Sequence, residues 1–185
     1  MARPAGEQRD HRDHRDHREQ GVAGMRRRVP IIGLVVLVAL LSGTVFQVRA
    51  SRGAARDAAE ARQEAVRAAA AHAMSLLSLN HRTIDEDMKR VLVTSTGREH
   101  ERYADGRAAL RAATLKNKVV QTGVLRASAL ESAQAGKAQV LIVADAVIHW
   151  EDGKKSAPEE RFFRWRMTVT EVSGRWLVSD SELVP

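Results

Sequence analysis

Val29 to Val48 reads VPIIGLVVLVALLSGTVFQV, twenty consecutive residues without a charge. At ~1.5 Å rise per residue a helix of that length spans about 30 Å, the thickness of a bilayer hydrocarbon core. The run has no polar face, as a core helix of that length would, so a membrane-spanning helix is predicted. Arg26, Arg27 and Arg28 bound it on one side and Arg49 and Arg52 on the other. Pro30 falls in the first turn, where a missing N–H costs little.

Three consecutive arginines before the span place the N-terminus in the cytoplasm by the positive-inside rule. The arginines after it are spread out and interleaved with Asp57, Glu60 and Glu64. Val48-Arg49-Ala50 resembles a signal-peptidase site, but the apolar run exceeds the ~7–15 residues of a signal h-region. The residues around Arg27-Arg28 do not otherwise match a twin-arginine signal. An uncleaved single-pass anchor in the plasma membrane is therefore expected, with about 135 residues outside. Within the span, Ala39 and Gly43 form a small-xxx-small pair that permits close approach of a partner helix.

Residues 1–28 read as a disordered, charged cytoplasmic tail. Its HRDHRDHRE repeat sets His11, His14 and His17 three apart, a spacing that rotates successive side chains around a helix rather than gathering them on a metal. HRD also occurs in kinase catalytic loops, but the chain has no Gly-rich loop or DFG. With no cysteine, a disulfide framework and a thiolate metal site are excluded. No cofactor, metal or catalytic residue is predicted. The tail and residues 49–80 carry +5 of the +7 net charge. The near-neutral body lacks the basic stripe of a nucleic-acid binder.

After the span, AARDAAEARQEAVRAAAAHAMSLLSL is alanine-rich and proline-free, the composition of a helix. Val66, Ala70, Ala73 and Leu77 fall on one stripe. Large apolar residues begin only at Met74, so residues 49–71 are expected to be a stalk and 72–185 the extracytoplasmic domain. Thr83-Ile84-Asp85-Glu86 has the pattern of a capping box, followed by Ile84, Met88, Val91 and Leu92 on one helical face. A third helix is expected from Gly97 to Lys116, with Tyr103, Leu110 and Ala113 inward and its end marked by Lys116 and Lys118.

From Val119 the period becomes two. Val119 to Leu130 supplies a first strand. In Ala138 to Trp150 every even position is apolar and the odd positions are mixed; Arg161 to Glu171 alternates again, with Phe163, Trp165, Met167 and Val169 on one side. Ser173-Gly174 turns the chain into Arg175 to Ser179. Helices followed by an antiparallel meander define the α+β class.

Several strings occur in a family's order: Leu76-Leu77-Ser78 into His81-Arg82-Thr83-Ile84-Asp85, Thr96-Gly97 with Tyr103, and Gly174-Arg175-Trp176-Leu177-Val178. With the anchor and the alanine-rich helix, they resemble the actinobacterial Mce-associated membrane proteins. The family pattern has Asp where this chain has Asn80, and Phe where it has Glu99. The resemblance implies a cone-shaped domain similar to nuclear transport factor 2, on a non-enzymatic accessory subunit of a mammalian-cell-entry (Mce) lipid importer. The partners it implies are the bilayer and the other subunits of that complex. The same plan occurs in an assembly-platform subunit of type IV secretion systems, the alternative reading.

Cone folds also house isomerases and dehydratases that use a buried Asp or His base. Asp145, His149, Tyr103, His81 and Asp87 are the residues that chemistry would draw on. Asp145 and His149 are two pleats apart, roughly 13 Å along a strand, too far for a direct acid–base pair. Trp150 and Trp165 are candidates to line an apolar cavity or to fill the core. The expectation is a scaffold, since fold alone does not imply function.

Overall fold

The computed structural model describes residues 55–151 and 157–185 and the single positions 47, 53 and 153. The predicted tail, the span apart from Gln47, and the Ala39–Gly43 pair lie outside the described residues. Among the described residues no helix is long and apolar enough to cross a membrane.

Helix α1 covers 55–77. A two-residue strand β1 (Leu79–Asn80) leads to α2 (Ile84–Val93) and α3 (Gly97–Asn117). Four longer strands follow: β2 (Val119–Gln134), β3 (Lys137–Trp150), β4 (Glu159–Val172) and β5 (Arg175–Leu183). They form one antiparallel sheet in sequential order β1 to β5. The expected α+β class and meander are present. Bulges between Leu125 and Ala127, and between Leu130 and Ser132, curl β2 around the helices. Ser173 and Gly174 both have positive φ (50° and 75°), the backbone of a type I′ hairpin.

The alternation in β3 and β4 translates directly into burial. Ala138, Val140, Ile142, Ala144, Ala146 and Ile148 are buried, and so are Trp165, Met167 and Val169 on the neighbouring strand. Across this inner face lies α1, whose Ala65, Ala69 and Ala73 are fully buried with Leu77 in the same core. The expected stripe is therefore rotated by one residue at its start. The expected stalk is also shortened: residues 65–71 are core helix, and the domain boundary at residue 72 moves upstream. Sequence reading looked for bulk, whereas here small side chains let a helix lie close on the sheet. At the C-terminal end of α1 the helix comes close to β2. A Cβ on Gly123 of β2 would stand 2.6 Å from the Leu77 Cβ, so only glycine fits.

A second, smaller core joins Leu79, Ile84 and Met88 to Tyr103 and Leu110. Ala113, expected inward on α3, is exposed; Thr114 is buried instead. The capping box does not form. Thr83 makes no side-chain cap, and its hydroxyl donates to the Asp87 carboxylate at 3.1 Å. The turn before α2 is held by Asn80, whose Oδ1 accepts the Arg82 N–H at 2.9 Å.

The α2–α3 connection docks on the outer edge of β5. The Val178 N–H donates to the Thr94 carbonyl (3.0 Å) and the Thr96 N–H to the Val178 carbonyl (2.8 Å). The α2–α3 pair is thus fastened to the last strand by backbone hydrogen bonds.

Candidate functional site

Five polar residues are buried among the described residues: His72, Asp87, Ser95, Glu99 and Thr114. Two of them meet. His72 faces the core from the alanine stripe of α1, and Glu99 projects from the first turn of α3. His72 Nε2 is 3.4 Å from Glu99 Oε1, and Nδ1 is 2.8 Å from Thr94 Oγ1. Glu99 Oε2 accepts from Ser181 Oγ of β5 at 2.9 Å and pairs with Arg102. Arg102 donates onward to the Ser181 carbonyl at 3.1 Å, and Arg98 donates to Asp180 at 3.0 Å.

Burial alone would raise the Glu99 pKa. The hydrogen bonds from His72 and Ser181 and the charge of Arg102 outweigh it, leaving the carboxyl below its ordinary range. Both carboxylate oxygens are occupied by protein partners, and the group joins α1, α3 and β5. That arrangement fastens elements together; it presents no reactive atom to a ligand. Sequence reading missed the cluster because its members are 27 and 82 residues apart. Two signals were present: a histidine inside an alanine stripe, and a glutamate where the resemblance calls for Phe.

The candidates drawn from isomerase chemistry are dispersed. Asp145 lies on the outer face of the sheet, where Arg126 Nε donates to it at 2.5 Å; His149, on the same face, is exposed. His81 Nε2 contacts Glu151 at 2.9 Å, and this hydrogen bond is the main cause that lowers the Glu151 pKa. Asp87 is buried, accepting the Asn80 N–H at 2.8 Å and pairing with Arg90. Tyr103 ends in a buried hydroxyl without a hydrogen-bond partner, and burial together with the nearby Asp87 charge pushes its pKa up to about 12. Trp165 is core and stacks on Phe163 with ring centroids 4.9 Å apart; Trp150 is half-buried at the end of β3. No two of the five candidates share a cleft with an open reacting position.

Two concavities among the described residues bear on ligand binding. One, at the start of α2, has a volume of about 370 Å³ and is polar; its Arg111 is bound to Asp85 through two hydrogen bonds of 2.8 and 3.0 Å. The other, about 230 Å³, lies between the first turns of α1, the β2–β3 hairpin and Trp176, and its walls are mainly alanine. Among the described residues there is no cluster of His, Cys, Asp and Glu that could hold a metal ion.

Residues 25–185 match a family model described as "Uncharacterized protein Rv1363c/MT1408-like". The protein Rv1363c of Mycobacterium tuberculosis is 33% identical over 112 residues, which cover 60% of this chain but only 42% of that protein. The M. tuberculosis protein named outer membrane protein Rv1973 is 30% identical over 131 residues, 70% of this chain and 80% of the relative. The periplasmic domain of DotI superposes with a TM-score of 0.52 at 16% identity, covering 65% of this chain and 92% of that one. VirB8 of Agrobacterium tumefaciens gives 0.50 at 13% identity, covering 63% and 87%. At these identities the structural likeness shows a shared fold.

Proposed function

The chain belongs to the Rv1363c/MT1408-like family, and from that premise we propose that it is a non-enzymatic, membrane-anchored accessory subunit of an Mce-type lipid import system. The observation that carries this reading is an order of parts: an uncharged twenty-residue run, then a helix whose second half is buried in an α+β core. A single span with the body outside presents such a domain to neighbouring membrane subunits, and tethering raises its effective concentration there. The name of Rv1973 and the periplasmic source of the DotI domain support an extracytoplasmic, membrane-associated body. The scatter of Asp145, His149, His81 and Asp87, each engaged by a structural partner or exposed, supports a scaffold over an isomerase.

The test is uptake of a labelled lipid in a deletion strain complemented with the full chain, with co-purification of Mce subunits scored in parallel. Uptake is expected to fall on deletion and to return with the full chain and with Asp145→Ala. Loss of uptake in Asp145→Ala with normal co-purification would overturn the scaffold reading. The fold shared with VirB8 and DotI favours a second reading, an assembly-platform subunit of a secretion or conjugation system. Unchanged lipid uptake in the deletion strain, with loss of secretion or DNA transfer, would select it.

A further inference from the structure

We infer that the groove at the start of α1 takes one acyl chain of a membrane phospholipid with an ammonium-bearing headgroup, an inference that rests on the membrane-anchored reading above. Ala58 and Ala61 form its helical wall, Ala133 and Ala135 its hairpin wall, and Trp176 an aromatic side. Methyl walls set around an indole offer apolar surface, with the Gln134 amide as a neutral polar group at the hairpin. At about 230 Å³ the space is smaller than the ~300–1,000 Å³ of pockets that bury drug-sized ligands. A single flexible chain fits it better than a fused ring system.

Two opposite charges line the same groove, Arg62 from α1 and Glu171 from the end of β4. A guanidinium recognises phosphate through paired N–H donors, and a carboxylate suits a primary ammonium. A zwitterionic aminophospholipid supplies both; an anionic phosphatidylglycerol would set its phosphate near Arg62 and leave Glu171 without a counter-charge. Position along the chain agrees. Ala58 is ten residues beyond Val48, the last residue of the apolar span, a reach of at most about 35 Å. The groove is therefore tethered within a short distance of a source of such lipids.

The test uses the full chain in nanodiscs containing trace phosphatidylethanolamine or phosphatidylglycerol with a diazirine in one acyl chain. After irradiation, adducts are mapped by peptide mass spectrometry. Adducts at residues 58–62 and 133–138 are expected, several-fold stronger with the phosphatidylethanolamine probe. Ala61→Trp and, as an independent filling variant, Ala133→Leu should reduce them several-fold at an unchanged melting temperature. Glu171→Gln should erase the headgroup preference. Adducts confined to residues 29–48 would overturn the groove assignment while leaving the anchor intact. Equal labelling by both probes, or groove adducts indifferent to both filling variants, would also overturn it. Absence of adducts in 29–48 would instead overturn the membrane-anchored reading itself.

Discussion

His72 Nε2 faces Glu99 Oε1 at 3.4 Å, with both side chains buried, where α1, α3 and β5 meet. Leaving a buried polar group without its hydrogen-bond partner costs about 1–3 kcal/mol, and more where that group is charged, as the Glu99 carboxylate is. Glu99→Ala and His72→Ala are each expected to destabilise by about 3 kcal/mol in chemical denaturation. A His72→Phe/Glu99→Phe double variant should recover much of that loss, since an apolar pair removes the desolvation cost. A double variant no more stable than the singles would show that the contact is not coupled.

The same carboxyl sets an acid dependence. Its folded pKa lies below the ordinary glutamate value, so its contribution to stability is complete above about pH 5 and is lost as pH falls through the folded value. Asp180, lowered chiefly by Arg98, changes in the same direction. Thermal melts from pH 7 to pH 3 should show the midpoint falling below about pH 5. Glu99→Gln should flatten part of that fall, and an unaltered slope would count against the assignment.

Tyr103 should behave in the opposite sense. Its hydroxyl is buried and unpartnered, a condition that costs about 1–3 kcal/mol. Tyr103→Phe is expected to stabilise by about 1 kcal/mol. With the folded pKa raised to about 12, the wild type should lose stability as pH rises from about 10 towards 12, and the Phe variant should lose less. Destabilisation by Tyr103→Phe would reveal a partner for the hydroxyl.

Gly123 offers a steric test of how closely α1 lies on the sheet. A Cβ there meets the Leu77 Cβ at 2.6 Å, and overpacking of this kind costs about 1–3 kcal/mol. Gly123→Ala should destabilise by that amount, and Leu77→Gly in the same chain, which removes the clashing Cβ, should relieve part of it. Simple additivity of the two changes would show that the close approach is absent in solution.

The outline of the fold was legible because alternation survives translation into structure: the even positions of 138–148 are the buried positions of β3. Helix α3 also began at Gly97 and ended within a residue of Lys116, as expected. Errors came where small or polar residues took core positions. Alanines that suggested a solvated stalk are the contact stripe of α1. Thr83 and Glu86 matched a capping pattern, yet the local hydrogen bonds go to Asn80 and Asp87, whose roles depend on a turn that no spacing rule encodes. The His72–Glu99 pair was invisible for a topological reason, since it exists only once the helices and the last strand have closed on one another. The groove lined by Ala58 and Trp176 depends on the same closure.

A helix held by methyl groups has little to stop it from sliding along its axis. Ala65, Ala69 and Ala73 exclude water well, but they present a nearly smooth rail. Beyond the packing of Val66, Met74 and Leu76 on the core, resistance to axial displacement comes from two discrete catches, the notch where Leu77 sits against Gly123 and the hydrogen bonds of His72 to Thr94 and Glu99. Any tension reaching the domain from its N-terminal side enters along α1. It is met at these catches, in shear, rather than by peeling strands from the sheet one at a time. A graded pull would thus yield a threshold response, with the helix holding its seat until both catches release together.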